Sequence, residues 1–377
     1  VVFFLVYTAS ALSAGGKLFH SVFGLDYHIA LAIGAAVILC YTFMGGFMAV
    51  CVTDFVQGTL MLIGLLVVPL VAYFLLPGNL TDLISQSGVT GGAGAYLNPF
   101  MNGDRPYTFI EIFSQLAWGF GYCGMPHVLV RFMAVKNEKE LKKSWAIAIV
   151  WDLLSLTAAF AIAVIGRAYL LPVILGENGA ASSESVFIEM IRKVFTSELA
   201  LPFIGGLFLC GILAAIMSTA DSQLLVTASA VSEDLYHSFI KKDADTEEIL
   251  KVSRITVIVI AVIAFAIAWN PDSSIMGLVS NAWAGLGSAF GPIVVMSLFW
   301  RRTNLPGAIA GMVTGGLTVI IWDYIPLVGG QTLGTYTGLY SLAVGFLFSL
   351  VMIVIVSLVT KAPSKEITDE FDRVAAK

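Results

Sequence analysis

The segment AAIMSTADSQLL, residues 214–225, places five polar side chains within six positions of an otherwise apolar stretch. On a helix, four of its residues fall on one stripe about 100° wide: Ala215, Ser218, Thr219 and Ser222. Small side chains allow two membrane helices to pack closely, which is one interpretation of the stripe. Hydroxyl and backbone carbonyl oxygens are also ligands for a hard monovalent cation. The additional Asp221 and Gln223 favour the cation site.

Three carboxylates lie within apolar stretches, at Asp54, Asp152 and Asp221. A carboxylate at the centre of a membrane helix costs about 2.5–3.5 kcal/mol, so one that persists usually faces a cavity, an ion or a partner. We predict functional roles for Asp54 and Asp221, and a structural hydrogen bond for Asp152. Because Asp221 lies about 110° from the middle of the stripe, we expect it to serve something other than the cation bound there.

The segment SQLAWGFGYCGMPHVLVRF, residues 114–132, predicts a broken helix. Glycine and proline disfavour a helix interior, and four lie within eight residues: Gly119, Gly121, Gly124 and Pro126. In transporters such breaks expose backbone groups to a solute or an ion. Trp118 and Tyr122 share a face, where they either pack or form walls for a small zwitterion, with its ammonium over a ring and its carboxylate on backbone N–H groups.

The setting for these residues is a membrane. The chain is 58% hydrophobic and only 12% charged, whereas soluble domains are about 25% charged. A spanning helix needs about 20 mostly apolar residues. Ten stretches meet this length: Val1–Phe19, Ala30–Val50, Thr53–Leu76, Phe109–Arg131, Lys143–Leu171, Leu199–Tyr236, Val252–Trp269, Ile275–Trp300, Pro306–Ile325 and Gly338–Leu358.

The basic residues predict the orientation. With the C-terminus in the cytoplasm, 15 of the 20 Lys and Arg residues fall on the inner side, as the positive-inside rule requires. We therefore predict a multi-pass protein of the inner (plasma) membrane with a cytoplasmic tail at 359–377 and an extracellular or periplasmic loop at 77–107. An even number of spans places the first residue in the cytoplasm as well. The chain opens within an apolar segment, without an initiator Met or a signal peptide, so we expect a fragment of a longer protein.

Enzyme chemistry finds little support in the sequence. The four cysteines lie singly, without CxxC spacing, and the four histidines form neither a metal-binding nor a catalytic-triad spacing. We therefore predict no enzyme activity, no cofactor and no nucleic-acid partner.

Five stretches carry a resemblance to a known family: GGFMAVCVTDFVQG (45–58), WGFGYCGMPHVLVRFM (118–133), AAIMSTADSQLLVTASAVSEDLY (214–236), GLVSNAWAGLGSAFGPIVVMSLFW (277–300) and KAPS (361–364). From residue 1 to about residue 365 the chain resembles the sodium:solute symporter family, and within it the bacterial sodium/proline symporters. The resemblance implies an all-α polytopic membrane protein with the inverted-repeat (LeuT-like) transporter fold, here a single domain over 1–377. It also implies that the first span and core helices one and two are missing.

The resemblance implies ligands for sodium. The Ala215 carbonyl and the Ser218 and Thr219 hydroxyls match the half of the sodium (Na+) site that core helix eight contributes. Asp54 matches an intramembrane aspartate tied to sodium coupling. In relatives with a second sodium site, positions 221 and 222 join it, so Asp221 and Ser222 become candidates for a second cation or a shared proton.

The resemblance also implies a solute and a mechanism. Four residues match positions that shape the proline pocket: Tyr7, Trp118, Tyr122 and Pro126. The implied function is sodium-coupled symport of L-proline into the cell by alternating access, with sodium, L-proline and the lipid bilayer as partners. Two alternatives stay open, namely symport of another small solute (pantothenate, a sugar or a carboxylate) and a transporter-like sensor module.

Overall fold

The structure of the chain is a computed structural model that describes residues 1–44, 47–170 and 183–376. These residues group into two compact units. Unit 1 comprises Val1–Pro106 and Lys136–Met276, and unit 2 comprises Tyr107–Val135 and Gly277–Lys377. Three residues of two predicted spans and the last residue of the predicted tail lie outside the described part: Gly45, Gly46, Leu171 and Lys377.

Helices dominate both units. In chain order they are α1 (Val2–Phe23), α2 (Tyr27–Met44), α3 (Phe47–Phe74), α4 (Leu80–Gln86), α5 (Gly92–Tyr96), α6 (Phe109–Leu116), α7 (Trp118–Gly121), α8 (Pro126–Met133), α9 (Glu138–Tyr169), α10 (Val186–Ile191), α11 (Pro202–Ser229), α12 (Thr246–Ile267), α13 (Ile275–Phe299), α14 (Leu305–Tyr324), α15 (Leu333–Thr337), α16 (Ser341–Val359) and α17 (Lys365–Ala375). Two short antiparallel hairpins pair β1 (Met101–Asn102) with β2 (Arg105–Pro106), and β3 (Pro326–Val328) with β4 (Gln331–Thr332). A π-helical segment, Ala230–Ile240, prolongs α11.

Capping residues mark where several long helices begin. The side chain of Asn137 accepts a hydrogen bond from the Glu140 N–H at the start of α9. Asp245 and Asn304 act in the same way at the starts of α12 and α14. Such caps satisfy backbone donors that the first helical turn leaves without a partner, and each contributes about 1 kcal/mol.

Helix α11 lies between the two main apolar clusters of unit 1. One cluster joins it to α1, α2 and α12 through fully buried residues that include Leu12, Leu31 and Leu224. The other joins it to α3, α9 and α10 through Val68, Phe208 and their neighbours. Apolar residues of α11 therefore belong to both clusters, before and after its polar segment.

The predicted loop at 77–107 is folded and packs on the end of α9. Ile84 and Ala93, from α4 and α5, are buried against Val164 and Ala168. The Arg167 guanidinium donates from Nε to Ser87 Oγ at 2.9 Å and lies 5.5 Å from the centre of the Tyr96 ring.

Small residues line the helix contacts of unit 2. A Cβ at Gly311 or Gly315 of α14 would overlap Ile353 of α16 or the Ser288 backbone of α13. At the end of the chain, α17 is bound by a bidentate pair in which Arg301 Nε and Nη2 donate to Asp372 at 2.7 and 2.6 Å. Hydrogen bonding to this guanidinium holds the pKa of Asp372 below its usual range.

Eight of the ten predicted spans correspond to long apolar helices of the structure. Within residues 1–44, 47–170 and 183–376, eight helices are long and apolar enough to cross a membrane. The other two predicted stretches correspond to α2, whose apolar part is Tyr27–Cys40, and to the interrupted segment α6–α8. The predicted stretch Phe109–Arg131 thus contains the helix break that the segment 114–132 also predicts.

Candidate functional site

The predicted sodium ligands lie within one turn of α11. Ser218 Oγ and Thr219 Oγ1 both donate to the Ala215 carbonyl, each at 3.1 Å. One turn further on, Ser222 Oγ donates to the Ser218 carbonyl at 3.0 Å. A hydroxyl has one proton to donate and two lone pairs that accept. With the protons directed at the backbone, the lone pairs of both hydroxyls remain for a cation.

Apolar residues lie on one side of this turn. Ala215, Ser218 and Thr219 are half-buried. Ala215 borders a cavity of about 160 Å³ that is lined by apolar residues of α3, α10 and α11, among them Leu60 and Phe208. In such surroundings a cation interacts more strongly with oxygen ligands than it does in water.

Asp221 faces a different neighbour from the stripe. Its side chain is fully buried, and Thr42 Oγ1 of α2 lies 2.6 Å from Asp221 Oδ1 and 2.8 Å from the Ile38 carbonyl. One hydroxyl proton satisfies only one of these two acceptors at a time. Asp221 Oδ2 has no hydrogen-bond partner among the described residues. The described residues therefore satisfy this carboxylate incompletely.

A second carboxylate lies near Asp221. Asp54, on α3, is half-buried and close enough to interact with Asp221 electrostatically. The structure thus brings Asp54 and Asp221 together, whereas the hydroxyl of Ser222 bonds along its own helix. Two carboxylates that repel each other in apolar surroundings favour the uptake of a cation or a proton.

Unit 2 contains the interrupted helix. α7 ends at Gly121 and continues as a 3₁₀ turn over Tyr122–Gly124. Met125 has an extended backbone, with φ −85° and ψ 105°, and Pro126 is the first residue of α8. Pro126 suits that position because the N–H it lacks has no acceptor within a helix start.

An aromatic cluster surrounds the interruption. Trp118 stacks on Trp283 of α13, with ring centres 5.3 Å apart, and on Tyr340, with ring centres 6.0 Å apart. Tyr122 meets the Trp283 ring edge-on at 4.9 Å. The Trp283 indole Nε1–H donates to the Trp118 carbonyl at 3.0 Å. Trp283 therefore contacts both of the aromatic residues that the sequence singles out.

Glycine residues, which have no Cβ, allow α7 and the turn after it to approach α13 closely. A Cβ at Gly121 would overlap the Trp283 indole, and a Cβ at Gly287 would lie 2.7 Å from the Gly121 Cα. A Cβ at Gly124 would lie 2.5 Å from the Gly291 nitrogen. We name this contact the glycine seam, formed by Gly121, Gly124, Gly287 and Gly291. By contrast, a Cβ at Gly119 would meet nothing within 4 Å.

The remaining predicted site residues lie in different parts of the fold. Tyr7 is buried on α1 of unit 1, where its carbonyl accepts from Ser10 Oγ at 2.7 Å. Trp118, Tyr122 and Pro126 belong to unit 2, so a pocket shared with Tyr7 stays a prediction. Asp152 lies exposed on α9.

Two residues of the site received no role from the sequence. Thr42 is the one threonine of a largely apolar helix. Trp283 stands among small residues in GLVSNAWAGLGSAFGP. An isolated tryptophan in a glycine-rich helix can be recognised in a sequence. Such a large ring needs a partner segment without side chains, such as a glycine, to pack against. No comparable signal marks Thr42, whose partner is 179 positions away.

A polytopic helical chain with an interrupted helix and a cluster of hydroxyl and carbonyl oxygens has the features of a membrane transporter. Within that class the chain belongs to the sodium:solute symporter family, whose family model matches residues 1–315. Membership confirms the predicted family and the prediction that the chain is not an enzyme. Sodium enters in this family as the coupling ion.

Several curated relatives match almost the whole chain. The osmoregulated proline transporter OpuE of Bacillus subtilis (strain 168) is 43% identical over 366 residues, which are 97% of this chain and 70% of the relative. Sodium/proline symporter 2 of Staphylococcus saprophyticus subsp. saprophyticus is 41% identical over 381 residues, 99% of this chain and 70% of the relative. The high-affinity proline transporter PutP of Bacillus subtilis (strain 168) is 39% identical over 381 residues, which are 99% of this chain and 74% of the relative.

A solved structure has the same fold. The substrate-bound outward-open state of a Na+-coupled sialic acid symporter is similar with a TM-score of 0.68 at 17% identity, covering 97% of this chain and 74% of that protein. At this identity the likeness concerns the fold alone. It confirms the predicted LeuT-like transporter fold.

We predict that Gly121→Ala destabilises the protein, because the new methyl group overlaps the Trp283 indole. Overpacking of this kind costs about 1–3 kcal/mol. The matched control is Gly119→Ala, where the methyl group meets open space. Both changes remove a glycine from a helix and gain up to about 1 kcal/mol of helix propensity, so their difference isolates the overlap.

Thermal unfolding of the purified protein in detergent measures this difference. We expect the Tm of Gly121→Ala to fall below that of the wild type, and the Tm of Gly119→Ala to stay at or above it. Equal Tm values for the two variants would show that the glycine seam is not tightly packed.

Proposed function

We propose that the chain carries out sodium-coupled symport of L-proline into the cell by alternating access. The observation that carries the proposal is the identity of 39–43% over nearly the whole chain to relatives named as proline transporters or sodium/proline symporters. Residues 1–377 then act as one transporter domain. The membrane potential supplies about 2.3 kcal/mol per charge per 100 mV, which corresponds to roughly fiftyfold accumulation per sodium ion.

In this proposal, sodium binds at the oxygen cluster of α11. The Ala215 carbonyl and the hydroxyls of Ser218 and Thr219 are its ligands on this helix. Their hydrogen-bonding pattern supports the role, because both protons are directed at one carbonyl. The residual lone pairs form a surface of acceptors that suits a cation.

L-proline binds beside the interrupted helix, where Trp118, Tyr122 and Pro126 of unit 2 shape its pocket. A zwitterion fits this chemistry, since an ammonium group is attracted to an aromatic face. A secondary amine in a five-membered ring also offers apolar surface to the rings. The interruption at Met125 supports the assignment, because such breaks expose polar backbone groups.

The excess of basic residues between and after the later spans supports a cytoplasmic C-terminus in the plasma membrane. The tail at 359–377 is then cytoplasmic, and the folded loop at 77–107 lies outside the cell. On this orientation, sodium and proline enter from the side of the loop and leave on the side of the tail.

Uptake of radiolabelled L-proline tests the proposal. Cells that lack proline transport are given the chain, and uptake is measured with an inward sodium gradient and without one. We expect accumulation that requires the gradient and that excess unlabelled L-proline abolishes. Sodium-independent uptake, or uptake of another solute in place of proline, would contradict the assignment.

We predict that Ser218→Ala and Thr219→Ala raise the sodium concentration for half-maximal uptake. Each removes one oxygen ligand, so we expect a rise of about 10-fold or more. The matched control is Thr227→Ala, because Thr227 Oγ1 also donates to the carbonyl four residues before it and lies on the same helix. A loss of protein from the membrane without a change in sodium affinity would favour the alternative that the stripe only packs helices.

Asp54, Asp221 and Ser222 provide, in our proposal, a second place for a cation or a proton. Burial of Asp221 beside Asp54, with Thr42 shared between two acceptors, supports it. A charge left in such surroundings is costly unless a cation or a proton compensates it.

We predict that Asp221→Asn shows whether a sodium ion or a proton binds at Asp221. If sodium binds there, the Hill coefficient for sodium falls from about 2 to about 1. If a proton binds there, the Hill coefficient is unchanged and the dependence of uptake on pH is lost. The control is Asp152→Asn, an exposed carboxylate of the same type. A variant with unaltered sodium and pH dependence would reduce Asp221 to a structural role.

A further inference from the structure

We propose that Trp283 is a positioning residue for solute recognition, which holds Trp118 and Tyr122 in the orientation that the solute requires. The inference rests on the proposed function, since it takes these two residues as walls of the solute pocket. Trp283 lies on α13, whereas both walls belong to the interrupted segment. Its effect on the solute is exerted through these two residues.

The indole of Trp283 replaces a missing helical hydrogen bond. In a continuous α-helix the Tyr122 N–H would donate to the Trp118 carbonyl. Here the Tyr122 N–H donates to the Gly119 carbonyl instead, because the chain tightens into a 3₁₀ turn. The Trp283 Nε1–H donates to the Trp118 carbonyl at 3.0 Å in its place. A side chain of α13 thereby stabilises the first residue of the interruption.

The Trp283 ring contacts both Trp118 and Tyr122, each in a different orientation. Trp118 is nearly parallel to Trp283, at an interplanar angle of 14°, and Tyr122 is nearly perpendicular to it, at 82°. Tyr340 also stacks on Trp118, and its hydroxyl donates to the Ser280 carbonyl at 2.6 Å. Of the two aromatic neighbours described for Trp118, Trp283 is the one that also contacts Tyr122.

The position of Trp283 is itself fixed by packing. Only 6% of its surface is exposed, and the ring lies over Gly121, where any side chain would overlap it. The Gly287–Gly121 contact lies one turn further along α13. A buried ring with one polar atom and one acceptor has little freedom to rotate, so it transfers its orientation to both walls.

Transport kinetics of Trp283→Phe test the inference. Phenylalanine keeps a ring for stacking and lacks the N–H donor. We expect the KM for L-proline to rise about three- to tenfold, the scale of one hydrogen bond, while kcat per protein in the membrane changes by less than about twofold. We also expect weaker discrimination between L-proline and its six-membered-ring analogue pipecolic acid.

The matched control is Trp322→Phe. Trp322 is half-buried in the same unit, and its Nε1–H also donates to a carbonyl, that of Leu339, at 3.0 Å. This variant should keep the wild-type KM and discrimination. If both variants shift the KM equally, or if Trp283→Phe leaves KM and discrimination unchanged, Trp283 has no positioning role. Benzothienylalanine at position 283 has the shape of tryptophan but lacks the N–H donor. It should raise the KM for L-proline in the same way, and it serves as the test if Trp283→Phe fails to fold.

A second measurement needs no solute. Cys123 is exposed in the 3₁₀ turn. For this measurement Cys40, Cys51 and Cys210 are replaced by serine, so that Cys123 is the thiol that reacts. In Trp283→Phe we expect the rate of alkylation of Cys123 by N-ethylmaleimide to change about threefold or more, because the turn that carries this thiol is no longer held by the indole. Trp322→Phe should not change this rate. Absence of proline uptake by the wild type would overturn the proposed function alone, whereas an unchanged alkylation rate would overturn the role of Trp283.

Discussion

A polar atom inside a membrane-spanning segment has no water to bond with, so the protein itself must supply its partner. This constraint explains the hydroxyls of α11. Ser218 and Thr219 direct their protons at the Ala215 carbonyl, and the turn satisfies its donors without a second helix. The outcome is a patch that only accepts. At the proposed sodium site, acceptors of this kind suit a cation and not an anion.

The same constraint operates where the backbone leaves the helical path. An interruption in α6–α8 releases carbonyl groups from their regular donors, and an indole from α13 reaches one of them. Glycines at the point of contact make this possible, since they allow a ring and two backbones to share the space. The interruption is thus a packed and specific structure, and its polar groups are ordered before a solute arrives.

Local physics made part of this predictable from sequence. Helical periodicity grouped Ala215, Ser218 and Thr219, because residues three and four apart always share a face. Glycine and proline content marked the segment of the interruption for a similar reason. In both cases the cause lies within one turn of chain.

Long-range pairings were beyond the reach of the same reasoning. The contact between Thr42 and Asp221 and the contact between Trp283 and Trp118 join residues far apart in sequence. Such pairs depend on which helix faces which, and a single sequence carries no signal for that.

The glycine seam has a mechanical consequence for unit 2. Gly121 and Gly124 meet Gly287 and Gly291 across the contact, and the residues between them carry side chains. Sliding one helix along the other would push those side chains into backbone, so the contact has a single register. Within unit 2, we therefore expect α7 and the facing part of α13 to move as one body.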